Sequence, residues 1–126
     1  MTHNQVWVKV NALSDEGIAP LVSALNEIHG VITLDSCQEG AWGAYVFFTY
    51  GQDWRQLACL LQEMSSCLSN LRLPCGYRFL MEWQGSNDKP RAELQMESEH
   101  VVYITDGIQR VAATLNARMT ELVGDS

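Results

Sequence analysis

The feature that most constrains this chain is a change of hydrophobic period between Gly43 and Leu68. Residues 43–50, GAYVFFTY, form a run rich in β-formers. After Gly51 the apolar residues Trp54, Leu57, Leu61, Met64 and Leu68 recur in steps of three, four, three and four. A strand followed directly by an amphipathic helix cannot belong to an all-α or an all-β protein. Each side chain that the helical stripe buries contributes roughly 1.5–3 kcal/mol, so the stripe is core before it is anything else. Asp53 stands where a helix N-cap is needed.

The same two periods organise the rest. Over residues 5–11, Val6, Val8 and Val10 alternate with Trp7, Lys9 and Asn11, predicting a first strand. Ser14, Asp15 and Glu16 resemble a helix start, with Pro20 in the first turn and Gly30 as a stop, which predicts a helix near 17–29. A second strand is expected over 31–36 and a third over 43–50, joined by a loop carrying SCQEGAW. Tyr77, Phe79, Met81 and Trp83 predict a fourth strand, and Ala92, Leu94 and Met96 a fifth, separated by the turn-rich QGSNDKP. Beyond Ser98 a long helical stripe runs to Leu122. Gly107 interrupts it at a cost of about 1 kcal/mol, so a short strand over 100–104 followed by an Asp106-Gly107 turn is the alternative.

The expected order, β-α-β-β-α-β-β-α, begins with the βαββαβ unit of a ferredoxin-like α+β sandwich, extended by a C-terminal strand and helix. One domain over residues 1–126 accommodates it. Two helices cover one sheet face in that architecture. The other would carry Trp7, Tyr45, Phe47 and Leu80, too apolar a patch to leave in water, and is expected to be covered by the last helix or by a second subunit.

Charge excludes one large class of partner. The formal net charge is -7, and eight Lys and Arg are scattered along the chain. A typical DNA binder contacts roughly 6–10 phosphates from one face, which would require nearly every cation here to align. No nucleic-acid partner is expected. No run approaches a membrane span, and the N-terminal residues lack a secretory pattern, so a cytoplasmic protein is expected.

The four cysteines, Cys37, Cys59, Cys67 and Cys75, are expected to stay reduced. Cys59 and Cys67 lie eight apart in one predicted helix, about 12 Å along its axis and beyond disulfide reach. With no CxxC and no histidine pair at ligand spacing, no metal site is expected, and the identity of any cofactor is unknown from the sequence.

SCQEG is the segment richest in reactive side chains. As a catalytic nucleophile Cys37 would need a cation or a base, and His29 and His100 are the candidates for the latter. Ser36 lacks the glycine pattern of a nucleophile elbow. A second reading gives Ser36, Cys37, Gln38, Gly40 and Trp42 to a small-molecule ligand, with loop amides approaching it closely. The plainer alternative is that these residues close a hairpin. Trp7, Tyr45 and Phe47 are interface candidates, because large aromatics concentrate where partners bury surface. His29 also suits a helix C-terminus without any function.

Residues 5–50, with VWVKVNA, the helix start and SCQEG in one line, resemble small bacterial α/β proteins that carry an S-C-Q-x-G-type loop. That resemblance brings no activity with it. The Ser36-Cys37 pair is also distantly similar to the S-S-C-S-G-R segment of the tRNA wybutosine methyltransferases. Asp35 replaces the first serine, an extra residue precedes Gly40, and Ala41 stands in place of arginine, so neither methyl transfer nor tRNA binding is carried over. The sequence thus supports a binding or regulatory module, expected to be a homodimer, with the 35–43 loop as its contact site. An enzyme using Cys37 is the alternative, and a structural homo-oligomer built on the Trp7, Tyr45 and Phe47 face is a third reading.

Overall fold

The computed structural model describes residues 5–7, 13–15, 17–39, 43–83 and 90–122. Its elements are β1 (Gln5–Trp7), β2 (Leu13–Asp15), α1 (Ala19–Glu27), β3 (Val31–Glu39), β4 (Gly43–Tyr50), α2 (Trp54–Leu68), β5 (Gly76–Glu82), β6 (Arg91–Glu97) and α3 (Val101–Leu122). The chain is an α+β protein with a four-stranded antiparallel sheet and three helices.

Strand order in that sheet is β3-β4-β6-β5, with every neighbouring pair antiparallel. The ferredoxin-like expectation placed the strand at 5–11 beside the third strand. That place is taken by β6, which pairs with both β4 and β5. Within 5–11 only β1 is described, and it pairs with β2 in a separate two-stranded ribbon. Ser14 and Asp15 therefore belong to a strand instead of a helix start. The helix begins after Ile18, which offers no side-chain cap, and Pro20 occupies its first turn as expected. Gly30, at a φ of 89°, makes the left-handed turn that sends the chain from α1 into β3.

The core is one cluster between the sheet and the helices. Val46 and Phe48 from β4, Leu94 and Met96 from β6, Leu21 and Leu25 from α1, Leu57 and Met64 from α2, and Ile104 and Ile108 from α3 are all buried in it. Asp53 caps α2 by accepting from the Gln56 N–H at 3.0 Å. Trp54 departs from the predicted stripe. It is 46% exposed, with the Arg55 guanidinium 5.1 Å from its ring centroid, and the buried face of α2 instead uses Leu60 and Cys67 alongside Leu57, Met64 and Leu68. Trp83, expected in the core with Tyr77, Phe79 and Met81, is 53% exposed.

Residues 101–122 form a single helix, so the strand alternative at 100–104 is not adopted. Gly107 is there for closeness of approach. A Cβ at this position would sit inside contact distance of Cys75 Sγ and 3.0 Å from Met96 Cε. The weak helix former is retained because α3 lies almost directly on β6 and on the segment before β5.

Candidate functional site

The SCQEG segment is strand for most of its length. β3 continues through Ser36, Cys37, Gln38 and Glu39, opposite Val46, Tyr45, Ala44 and Gly43. Of the predicted loop at 35–43, residues 35–39 and Gly43 are strand, while Gly40, Ala41 and Trp42 lie outside the described residues. The reason is the hairpin register: Tyr45 and Val46 are strong β-formers, and pairing them on both sides outweighs the turn propensity of the polar residues opposite.

Pairing also separates the candidate residues. Directly opposed side chains share a sheet face and neighbours along a strand alternate. The register shift between Thr33 and Asp35 sets which residues go where. Ser36 and Gln38 fall on the helix-covered side, in the rows of buried Val46 and Ala44. Gln38 there donates through Nε2 to Thr105 Oγ1 at 3.4 Å and lies against Gly17, bridging β3 to α3 and to the start of α1. Cys37 and Asp35 fall on the open side, in two cross-strand rows: Cys37, Tyr45, Gln95 and Arg78, then Asp35, Phe47, Glu93 and Leu80.

The helical core identifies which face is open. α3 packs against the same side as α1 and α2, through Ile104, Ile108, Val111 and Leu115, so the expectation that it could cross the second face is not met. Polar side chains shield the aromatic residues there instead. The Arg91 guanidinium lies 4.3 Å from the Phe47 ring centroid while its Nε donates to Glu82 Oε1 at 2.6 Å. The Tyr45 and Phe47 rings meet edge to face at 5.4 Å, and Arg78 Nε donates to Gln95 Oε1 at 2.6 Å. Long polar side chains can cover apolar surface while keeping their heads in water, which leaves both aromatics half-buried. Of the predicted interface, Tyr45 and Phe47 lie together, whereas for Trp7 only the backbone, in β1, is described.

Beside Tyr45, where β4 begins and β6 ends, lies an open depression of about 220 Å³ lined by Gly43, Ala44 and Tyr45 from β4 and by Glu93, Gln95, Met96 and Glu97 from β6. Sequence reasoning reads the alternation of Arg91, Glu93 and Gln95 against Ala92, Leu94 and Met96 as a strand but names none of the polar residues as site candidates, although that alternation marks one polar face.

The two predicted bases are placed apart from Cys37. His29 is exposed beyond α1, before the start of β3, and Cys37 is six strand steps beyond Val31, roughly 20 Å. His100 precedes α3, edge-on to Tyr103 at 5.3 Å, and α3 packs on the side of the sheet away from Cys37. Elsewhere, burial and then the Asp106 carboxylate push the Cys75 thiol up. Burial also raises Cys67, with Arg118 opposing and Glu63 adding to the shift. Among the described residues, no group of three His, Cys, Asp or Glu side chains is placed to hold a metal ion. Nor is any described helix long and apolar enough to cross a membrane.

No protein-family model, curated protein or solved structure matches this chain.

Proposed function

We propose that this chain is a binding module, dimeric and cytoplasmic, that recognises its ligand on the open sheet face without bond chemistry. The observation that carries this reading is the depression beside Tyr45, whose lining combines that aromatic residue with Glu93, Gln95 and Glu97. Carboxylates beside a π-face favour a cation or a donor-rich group, because the ring quadrupole and the acidic side chains attract the same charge. The ligand class is therefore a small amine or guanidine, or a basic side chain of a partner. Cys37 lies in the row of Tyr45 and would border such a ligand. The sheet itself reads as a rearranged ferredoxin-like layer in which β6 takes the place of the first strand.

The test is chemical-shift mapping with a panel of alkylamines and alkylguanidines at millimolar concentration. Shifts are expected at Tyr45, Gln95 and neighbouring backbone amides, and should be lost in Glu93→Gln while Cys37→Ser retains them. Absence of shifts across the panel, or shifts clustered away from β4 and β6, would overturn the reading.

A further inference from the structure

The exposed edge of β5 is complementary to itself. β5 ends the four-stranded sheet, and among the described residues its strand partner is β6 alone. Its open-face residues read Arg78, Leu80, Glu82: a cation and an anion placed symmetrically about an apolar residue that is 39% exposed. The intervening positions read Tyr77, Phe79, Met81, Trp83, again symmetric in character about Leu80.

We propose that two copies of this chain join antiparallel along β5, with the two-fold axis at Leu80, to form one eight-stranded sheet. In that register Arg78 stands opposite Glu82 of the second copy, Phe79 opposite Met81, and Tyr77 opposite Trp83. Every pair is favourable: opposite charges, a thioether on an aromatic ring, and two aromatics. Glu82 already accepts from Arg91 through Oε1, so its second oxygen meets Arg78 of the other copy and the charges continue in a chain across the junction. The pairing also accounts for Trp83, which the strand period sends toward the core side but which the isolated chain leaves 53% exposed. Beside the edge is an open hollow of about 500 Å³ lined in part by Leu61, Ser65 and Phe79, which offers space for the incoming Met81.

Charge also selects the register. A two-fold at Arg78 would set Arg78 against Arg78, and one at Glu82 would set Glu82 against Glu82, each a directly opposed like pair. The same charges therefore blunt the edge against indiscriminate pairing and admit the Leu80-centred one. Because an isologous pair keeps the side-chain alternation, the two open faces become one continuous platform. This inference takes from the proposed function only that the protein is a dimer, and it assigns the junction to a surface that the ligand reading does not use.

The experiment is sedimentation of the full chain over a concentration series, followed by disulfide trapping in a Cys59→Ser background. Leu80→Cys is expected to give a covalent dimer linked through that position, identified by peptide mass mapping, since opposed strand residues stand within disulfide reach. Arg78→Cys alone should not cross-link to itself, because its counterpart lies roughly 13 Å along the paired strand. An equimolar mixture of Arg78→Cys and Glu82→Cys chains should cross-link. Leu80→Lys, at an exposed position, should sediment as a folded monomer where the unsubstituted chain is dimeric. A monomer at all concentrations overturns the inference. A dimer that Leu80→Cys does not trap overturns it also, while leaving ligand recognition on the open face to its own test.

Discussion

Replacing Gly107 by alanine sets two effects of similar size against each other, and the structure says which wins. In an ordinary helix interior the change stabilises by about 1 kcal/mol through propensity. Here the new methyl would enter contact distance of Cys75 Sγ and stand 3.0 Å from Met96 Cε. Met96 can move its terminal methyl, but it is 2% exposed and has little space to move into. Forcing an extra methyl into such packing costs about 1–3 kcal/mol. The expected net effect of Gly107→Ala is destabilisation by up to about 2 kcal/mol, a shift of several degrees in melting temperature for a chain of this size. Removing the obstruction should reverse the sign. In a Cys75→Ala background the sulfur is gone, the Cys75 Cβ lies 3.9 Å from the added methyl, and the Met96 terminal methyl can turn into the space the sulfur vacates, so Gly107→Ala should now stabilise by up to about 1 kcal/mol. Urea unfolding of the four proteins in this double-mutant cycle gives a coupling free energy of about 1–3 kcal/mol if α3 lies on Cys75 as described. If Gly107→Ala changes stability equally in both backgrounds, the close approach is absent and the account of this glycine fails.

Asp53→Ala should destabilise by about 1 kcal/mol in urea unfolding, because the Gln56 N–H loses its acceptor at the start of α2, and Asp53→Asn should recover most of that. Thermal stability should fall as pH rises above roughly 8.5. The folded state holds the raised Cys75 and Cys67 protons after the unfolded chain has released its own, so their contribution is complete below the unfolded pKa and is lost on passing upward through the folded one. Melting curves from pH 7 to 10 should show this decline, and Cys75→Ser should flatten it. Arg91→Ala should uncover the Phe47 ring and leave Glu82 without its ion-pair partner, raising binding of a hydrophobic dye at little cost in stability. Unchanged dye binding would mean that Arg91 does not shield the open face.

Local chemistry made much of the architecture legible in the amino-acid order. A run of β-formers located β4, period-two alternation located β5 and β6 to within a residue, the three-and-four stepping located α2, and Asp53 and Gly30 marked helix ends by the demands of capping and of positive φ. Those signals act over a few residues, so one sequence window contains their cause. Leu57, Met64 and Leu68 were readable as core for the same reason, since their spacing fixes one helical face. What a window does not contain is which distant strand lies alongside. β6 took the position expected for the first strand because pairing depends on a register between β4 and β6, with more than forty residues between their partners. Tertiary pairing likewise turned Ser36, Cys37 and Gln38 from a loop into strand and, through one register shift, sent Cys37 to the open face and Gln38 to the covered one. The gathering of Tyr45 with Glu93, Gln95 and Glu97 belongs to that same long-range register. Trp54 and Trp83 show the converse limit: periodicity assigns a residue to a side of its element, but only the packed neighbours decide how far along that side the core extends.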